Sequence, residues 1–281
     1  MTVSQSIADS ISDRVQQDRS ALPLFSGTGL RLHDMFASDN FEVAEVRELI
    51  RQDQSLSASL LRAANSSFYS SLDKIASIDQ AVVRLGAKSV SRLVTMVSQK
   101  EQYQLATPRL VPVVDSLWRH AVVCAGGSEW LAHRVGRGEL APTAFMAGML
   151  HDIGQLLVLR VIDDLISSDK KFDPPDAVVL EMMRKLHAAH GAEMLSLWNL
   201  PEEYVQIVRE HHQEDIGQED VLLAIVRLAD LGCNKLGIGI VPAADTNLAA
   251  TMEAAALRLT EIDAAELEIA LEDALELAGS V

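Results

Sequence analysis

Aromatic side chains are scarce, at 4% of 281 residues, and that shortage argues against a sheet-rich architecture. No stretch alternates apolar and polar residues for long enough to define a strand. Basic residues are also short: 24 Lys and Arg stand against 40 Asp and Glu, for a formal net charge of −16. Neutralising phosphates along a nucleic acid requires a basic face, so this balance argues against general DNA or RNA binding. Cysteine is limited to Cys124 and Cys233, far apart and in no C-x-x-C spacing, which suits structural thiols in a reducing compartment. The segment Met1 to Ser10 lacks the basic and apolar regions of a secretion signal, and no apolar run reads as long enough to cross a bilayer. These absences predict a cytoplasmic protein with no membrane association.

What is present favours helices. Ala, Leu, Ser and Glu recur, with 48% hydrophobic and 23% charged residues. Ile7, Ile11 and Val15 repeat at spacing four, predicting a helix over 4–19. Two helices are expected between 42 and 64, joined near Asp53 to Ser55. A further one starts after Ser77 and stops at Gly86. Beyond a break at Thr107 to Pro112, helices are predicted at 113–134, 141–150, 156–166, 175–198, 201–212 and 219–236. The expected organisation is a helical N-terminal lobe over 1–108, a second lobe over 109–236, and a helical tail over 247–278 packed on or extending the core.

Several polar residues fall where helical periodicity calls for apolar ones. His120 shares a stripe with Val113, Leu117 and Cys124; His190 lies between Leu186 and Met194, on a stripe continuing to Leu197. Asp230 follows Leu222 and Val226. His211 and His212 end a helix whose inner face carries Tyr204, Val205 and Val208, and His151 and Asp152 follow Ala144, Ala147 and Gly148. A buried carboxylate or imidazole is costly unless paired, and one divalent cation can satisfy several together. Taken singly, each is equally a hydrogen-bonded core histidine or an aspartate paired with an arginine. Five helices turning their anomaly inward favour the shared ion. His33 and His133 lack an inward stripe, and Asp163 and Asp164 read as surface residues.

The segment Ala144-Phe-Met-Ala-Gly-Met-Leu-His-Asp-Ile-Gly-Gln-Leu-Leu resembles the setting of the doublet that names the HD phosphohydrolase superfamily. Ile50-Arg-Gln-Asp-Gln-Ser-Leu-Ser-Ala-Ser-Leu-Leu-Arg-Ala-Ala-Asn-Ser-Ser-Phe-Tyr and Ile75-Ala-Ser-Ile-Asp-Gln-Ala-Val-Val-Arg-Leu-Gly are similar to the signature of its HDOD branch. So are His190-Gly-Ala-Glu-Met-Leu-Ser-Leu-Trp-Asn-Leu-Pro and the pair His211-His212. The resemblance implies an all-α fold with a multi-helix HD-like core and a helical N-terminal lobe. It implies that His120, His151, Asp152 and Asp230 match the ligands of a single-metal site. His190, His211 and His212 match residues that hold a second metal in the binuclear HD-GYP relatives, with Asp152 between the two ions.

The implied cofactor is one or two divalent ions drawn from Fe, Mn, Zn, Ni or Mg. If the chain turns over a substrate, His151 and Asp152 are the expected catalytic pair, in metal-assisted attack on phosphorus. Departures count against cyclic-di-GMP hydrolysis. Gln155 stands where those relatives have a phosphate-binding lysine, no Gly-Tyr-Pro follows the paired histidines, and Ser116 replaces a glutamate that some carry for a third metal. The sequence therefore favours a signal-transduction module with a regulatory protein partner, a phosphate-containing ligand, and room for self-association, over an active phosphohydrolase.

Overall fold

The computed structural model describes residues 3–17, 35, 43–52, 54–65, 74–100, 102–213, 220–240 and 243–279. Among them every regular element is helical. In chain order the α-helices are α1 (Val3–Gln17), α2 (Val43–Gln52), α3 (Gln54–Ala64), α4 (Ile78–Lys100), α5 (Val111–Arg134) and α6 (Ala141–Leu150). They continue with α7 (Ile153–Ser168), α8 (Asp176–Leu197), α9 (Glu202–Glu210), α10 (Val221–Lys235), α11 (Met252–Ala256) and α12 (Glu261–Ala278).

The chain divides into two compact units, one of residues 1–22 and 104–271, the other of 23–103 and 272–281. The first helix thus groups with the larger unit and not with the N-terminal lobe expected from sequence. Its Ile11 and Val15 are fully buried, and it packs on α7 and α8. His33 lies outside the described residues.

In the smaller unit α2 and α3 pack against α4. Arg47 and Arg51 of α2 both pair with Asp79 at the start of α4. Asn65 ends α3 by donating to the carbonyls of Leu61 (2.7 Å) and Ile75 (2.8 Å) while accepting from the Ile75 amide (2.8 Å). Gly86 breaks α4 at φ 78°, as its stop signal predicts, but the helix resumes and runs to Lys100. The second half of α4 buries Val90, Leu93, Val94 and Met96, an apolar stripe that the stop signal masked.

In the larger unit α5 lies against both α6 and α10, α7 against α8, and α8 against α9. Trp118 is the largest fully buried side chain. The stretch Gly138–Ser168 is long and apolar enough, by length and composition, to cross a bilayer, which differs from the sequence expectation. It folds as α6 and α7, and 83% of its most apolar window is buried within the protein.

Asp163, expected at the surface, is buried. Its two carboxylate oxygens accept the backbone amides of Ala106 and Thr107, both at 2.8 Å, and so tie the approach to α5 onto α7.

The tail from residue 247 to Leu271 packs within the larger unit. The side chain of Leu271 fills space left by Gly127 on α5 and Gly232 on α10, where added Cβ atoms would lie 2.4 and 2.5 Å from its methyls. Arg134 pairs with Asp263, Lys235 with Glu268 at 2.6 Å, and buried Glu253 with Arg227 at 2.8 Å.

Candidate metal centre

Two close helix crossings assemble the centre. On α6, Gly148 faces α5 so tightly that a Cβ would lie 2.8 Å from the Cys124 carbonyl. That contact sets His151, which follows α6, beside His120 of α5. On α7, a Cβ at Gly154 would lie 2.0 Å from the His187 carbonyl, a distance no real side chain tolerates. The glycine lets α8 approach and puts His187 beside Asp152. These two glycines flank the His-Asp doublet in sequence and bracket it in space.

Asp152 occupies the N-cap position of α7, yet its side chain accepts no capping hydrogen bond. The carboxylate turns into the cluster instead. Its Oδ2 lies 3.5 Å from Nε2 of both His120 and His151. Its Oδ1 lies 3.4 Å from Nε2 of both His187 and His211. Asp230 completes the first side, with Oδ1 3.2 Å from His120 Nε2 and 3.9 Å from His151 Nε2, and it receives a 2.9 Å hydrogen bond from Asn234 Nδ2. On the second side the His212 ring stands 4.0 Å from that of His211 and 5.0 Å from that of His187.

The ring tautomers follow from the backbone. His120 Nδ1 faces the Ile238 carbonyl at 2.8 Å and His151 Nδ1 that of Gly148 at 2.8 Å. His187 Nδ1 faces Met183 and Arg184 carbonyls, both at 3.0 Å, and His211 Nδ1 that of Val208 at 2.9 Å. A carbonyl oxygen only accepts, so each Nδ1 carries a proton and donates it. In the neutral rings every Nε2 then presents a lone pair to the same small volume. His120 and His151 Nε2 are 3.2 Å apart, and His187 and His211 Nε2 are 3.3 Å apart. Lone pairs at that spacing repel unless a cation lies between them.

Ligand atoms about 2.1 Å from one ion sit roughly 3.0 to 3.4 Å from one another, the spacing found here. Asp152 Oδ1 is buried and lacks a hydrogen-bond donor, which a cation would also satisfy. The donor atoms form two groups, His120, His151 and Asp152 on one side and Asp152, His187, His211 and His212 on the other, each within 4.8 Å. The residues fit a divalent ion on either face of Asp152, held by neutral imidazoles fixed through their outer nitrogens.

The field of the cluster points the same way. Burial pushes the His120 imidazole down, but the hydrogen bond and charge of Asp230, with Asp152, overcome it and raise its pKa to about 10. Burial likewise opposes protonation of His151, and nearby Cys124 and Asp152 reverse that, again to about 10. The Asp152 carboxyl is held well below the ordinary range despite burial, because His151, His211 and His187 surround it. Asp230 is lowered against its burial by His120 and His151. On the other side, burial lowers His187, and burial with the charges of His211 and His187 brings His212 to about 4. Metal-free, His120 and His151 gather protons, while burial holds His187 and His212 toward the neutral form.

Six of the seven residues expected to hold metal are brought together: His120, His151, Asp152, His211, His212 and Asp230. His190 is not among them. Its Nδ1 pairs with Glu193 at 3.2 Å, away from Asp152, and its place is taken by His187. The buried face of α8 repeats every four residues through Val179, Met183, His187, Gly191 and Leu195. The stripe through His190 ends at Leu197, which is 59% exposed. Ser116, in the place of a third-metal glutamate, donates to the Gly239 carbonyl at 3.2 Å. Cys124 and Cys233 are buried and free of disulfide.

A cavity of about 520 Å³ opens over the cluster, lined by His120, Asp152, His187, His212 and Asp230 and by Gln155, Arg184, Leu180 and other apolar side chains. Its size is that of a small-molecule site.

The fold and cluster define an all-helical protein with a buried His/Asp cluster. Residues 22–214, more than half of the chain, match the family model of the HDOD domain, and the chain belongs to that family. It is similar in fold to an HDOD domain protein of Geobacter sulfurreducens, with TM-score 0.76, 20% identity, and coverage of 96% of this chain and 97% of that one. A Shewanella amazonensis SB2B protein, described provisionally as a metal-dependent phosphohydrolase, superposes with TM-score 0.73 at 20% identity over 100% of this chain and 99% of that one. An uncharacterized protein of Treponema pallidum (strain Nichols) is 24% identical over 242 residues, covering 82% of this chain and 45% of its own length. The chain thus spans less than half of that relative.

Proposed function

We propose that this HDOD protein is a signal-transduction module whose His/Asp cluster holds one or two divalent ions and receives a phosphate-containing small ligand. The observation that carries this reading is the cavity. A purely structural metal site is closed by its ligands, whereas five members of this cluster line open space. His120, His151, Asp152 and Asp230 hold one ion, and Asp152, His187, His211 and His212 a second. A divalent ion in such a place supplies Lewis-acid polarisation of a phosphoryl oxygen and activation of water. The chain's own part is to orient the imidazoles, and to present an anion with a charged floor under apolar walls. A protein partner that reads the loaded state completes the reading, in keeping with the family's place in signalling.

The same cavity favours a second reading, phosphoester hydrolysis. In this reading His212, the exposed imidazole of the cluster and part of the cavity lining, is left out of the ligand set and orients a water instead. Elemental analysis of protein purified without added metal, followed by assay against model phosphomonoesters and phosphodiesters, tests both. One or two ions per chain without turnover supports the module. Turnover that an Asp152→Ala variant abolishes, with the helical fold retained, supports the enzyme. A metal-free protein of undiminished stability removes both.

A further inference from the structure

Gln155 stands where a lysine would supply a cationic phosphate contact, and it lines the cavity without a charge to offer. A cation reaches the same cavity from another helix. Arg184 lies one turn before His187 on α8, and its backbone carbonyl accepts the His187 Nδ1 proton at 3.0 Å, so the arginine and the imidazole share one rigid turn. Arg184 is among the residues that line the cavity. Among the described residues no carboxylate forms an ion pair with it. Neighbouring Glu181, also on the cavity wall, is engaged by Lys185 at 2.6 Å and feels the charge of Arg184 only as a weaker influence. The remaining wall is largely apolar, with Leu117, Leu180, Met183, Leu231 and Ile240, and Leu180 is left 39% exposed.

We propose that Arg184 is the anion-contact residue of this cavity and that its ligand is a small organic phosphate with an apolar body. This inference rests on the reading of the cluster as a metal centre. The phosphoryl group lies toward the His/Asp face, one of its oxygens takes the guanidinium, and the body covers the Leu117, Leu180 and Leu231 wall. A guanidinium offers paired donors that match phosphate oxygens, which a lone ammonium does not. An apolar wall adds affinity for any ligand carrying a ring or alkyl group in place of bare phosphate.

Calorimetric titration of manganese-loaded protein with inorganic phosphate and with phenylphosphonate, which cannot be hydrolysed, tests this. Metal content is measured on every sample. The wild type is expected to bind phenylphosphonate more tightly than phosphate. Arg184→Ala should weaken both by roughly tenfold or more at unchanged metal content, with Arg184→Lys in between. Binding by Arg184→Ala within about twofold of wild type overturns the proposal and leaves the metal centre standing. Fully loaded wild type that binds neither probe also overturns it. Protein that takes up no manganese fails at the metal centre itself, and the proposal falls with it; the metal content tells the two failures apart.

Discussion

An aspartate at an N-cap ordinarily spends its carboxylate on the first amides of the helix. Asp152 leaves them and divides its two oxygens between two pairs of imidazoles, so one side chain serves both halves of the cluster. Asp152→Ala is therefore expected to reduce bound metal on both faces, read by elemental analysis. His190→Ala, outside the cluster, should leave metal content unchanged. The titrations give a second test at this scale, for metal-stripped protein. His120 and His151 have folded pKa values of about 10, above the ordinary 6.5 of histidine. Their stabilisation is complete below 6.5 and is lost as pH rises toward 10. His187 and His212 are lowered, His212 to about 4, so they cost stability as pH falls below 6.5. Asp152 and Asp230 are depressed and add stability above 3.8, lost as pH falls through their folded values. Metal-stripped protein should therefore be most stable near pH 6.5 and weaker at pH 9, by denaturant titration. Bound metal should restore the loss at pH 9, because ions and protons compete for the same nitrogens. Equal stability at both pH values without metal would contradict the raised pKa of His120 and His151.

At the scale of elements, the centre depends on helices crossing at glycine. Gly154→Ala places a methyl on the His187 carbonyl, which must drive α8 from α7. A loss of about 1–3 kcal/mol or more is expected by thermal or denaturant unfolding, with His187-side metal lost first. Asp163→Ala leaves the amides of Ala106 and Thr107 without their charged acceptor and should cost about 1.5–3 kcal/mol by the same measurement. Most helices were legible from periodicity and caps, because an inward stripe and a stop residue are local properties. The second half of α4 was not, since Gly86 ends one helix and the next begins at once. His187 and His190 differ by only three positions, so one turn of α8 offers two plausible imidazoles. The four-residue ladder through Gly191 marks the face that meets α7, and it was the signal that distinguishes them. Asp163 read as surface because its partners, the amides of Ala106 and Thr107, lie far away in sequence.

For the whole molecule, the tail as far as Leu271 is part of the unit that carries the centre. Arg227 of α10 links buried Glu253 to the backbone carbonyl of Gln213, just past the His211-His212 pair. Glu253→Ala strands a largely buried guanidinium and should cost about 3–5 kcal/mol, seen in thermal unfolding. The net charge of −16 adds a requirement to the proposal, since an anionic ligand would have to be drawn in locally, by the proposed cations and by Arg184. Anomalous diffraction from crystals grown with manganese tests the central claim most directly. The account predicts density against Asp152, on the His120–His151 face and, with two ions, also on the His187–His211 face. Fully ordered side chains in these positions, with no anomalous density at either face, would contradict it.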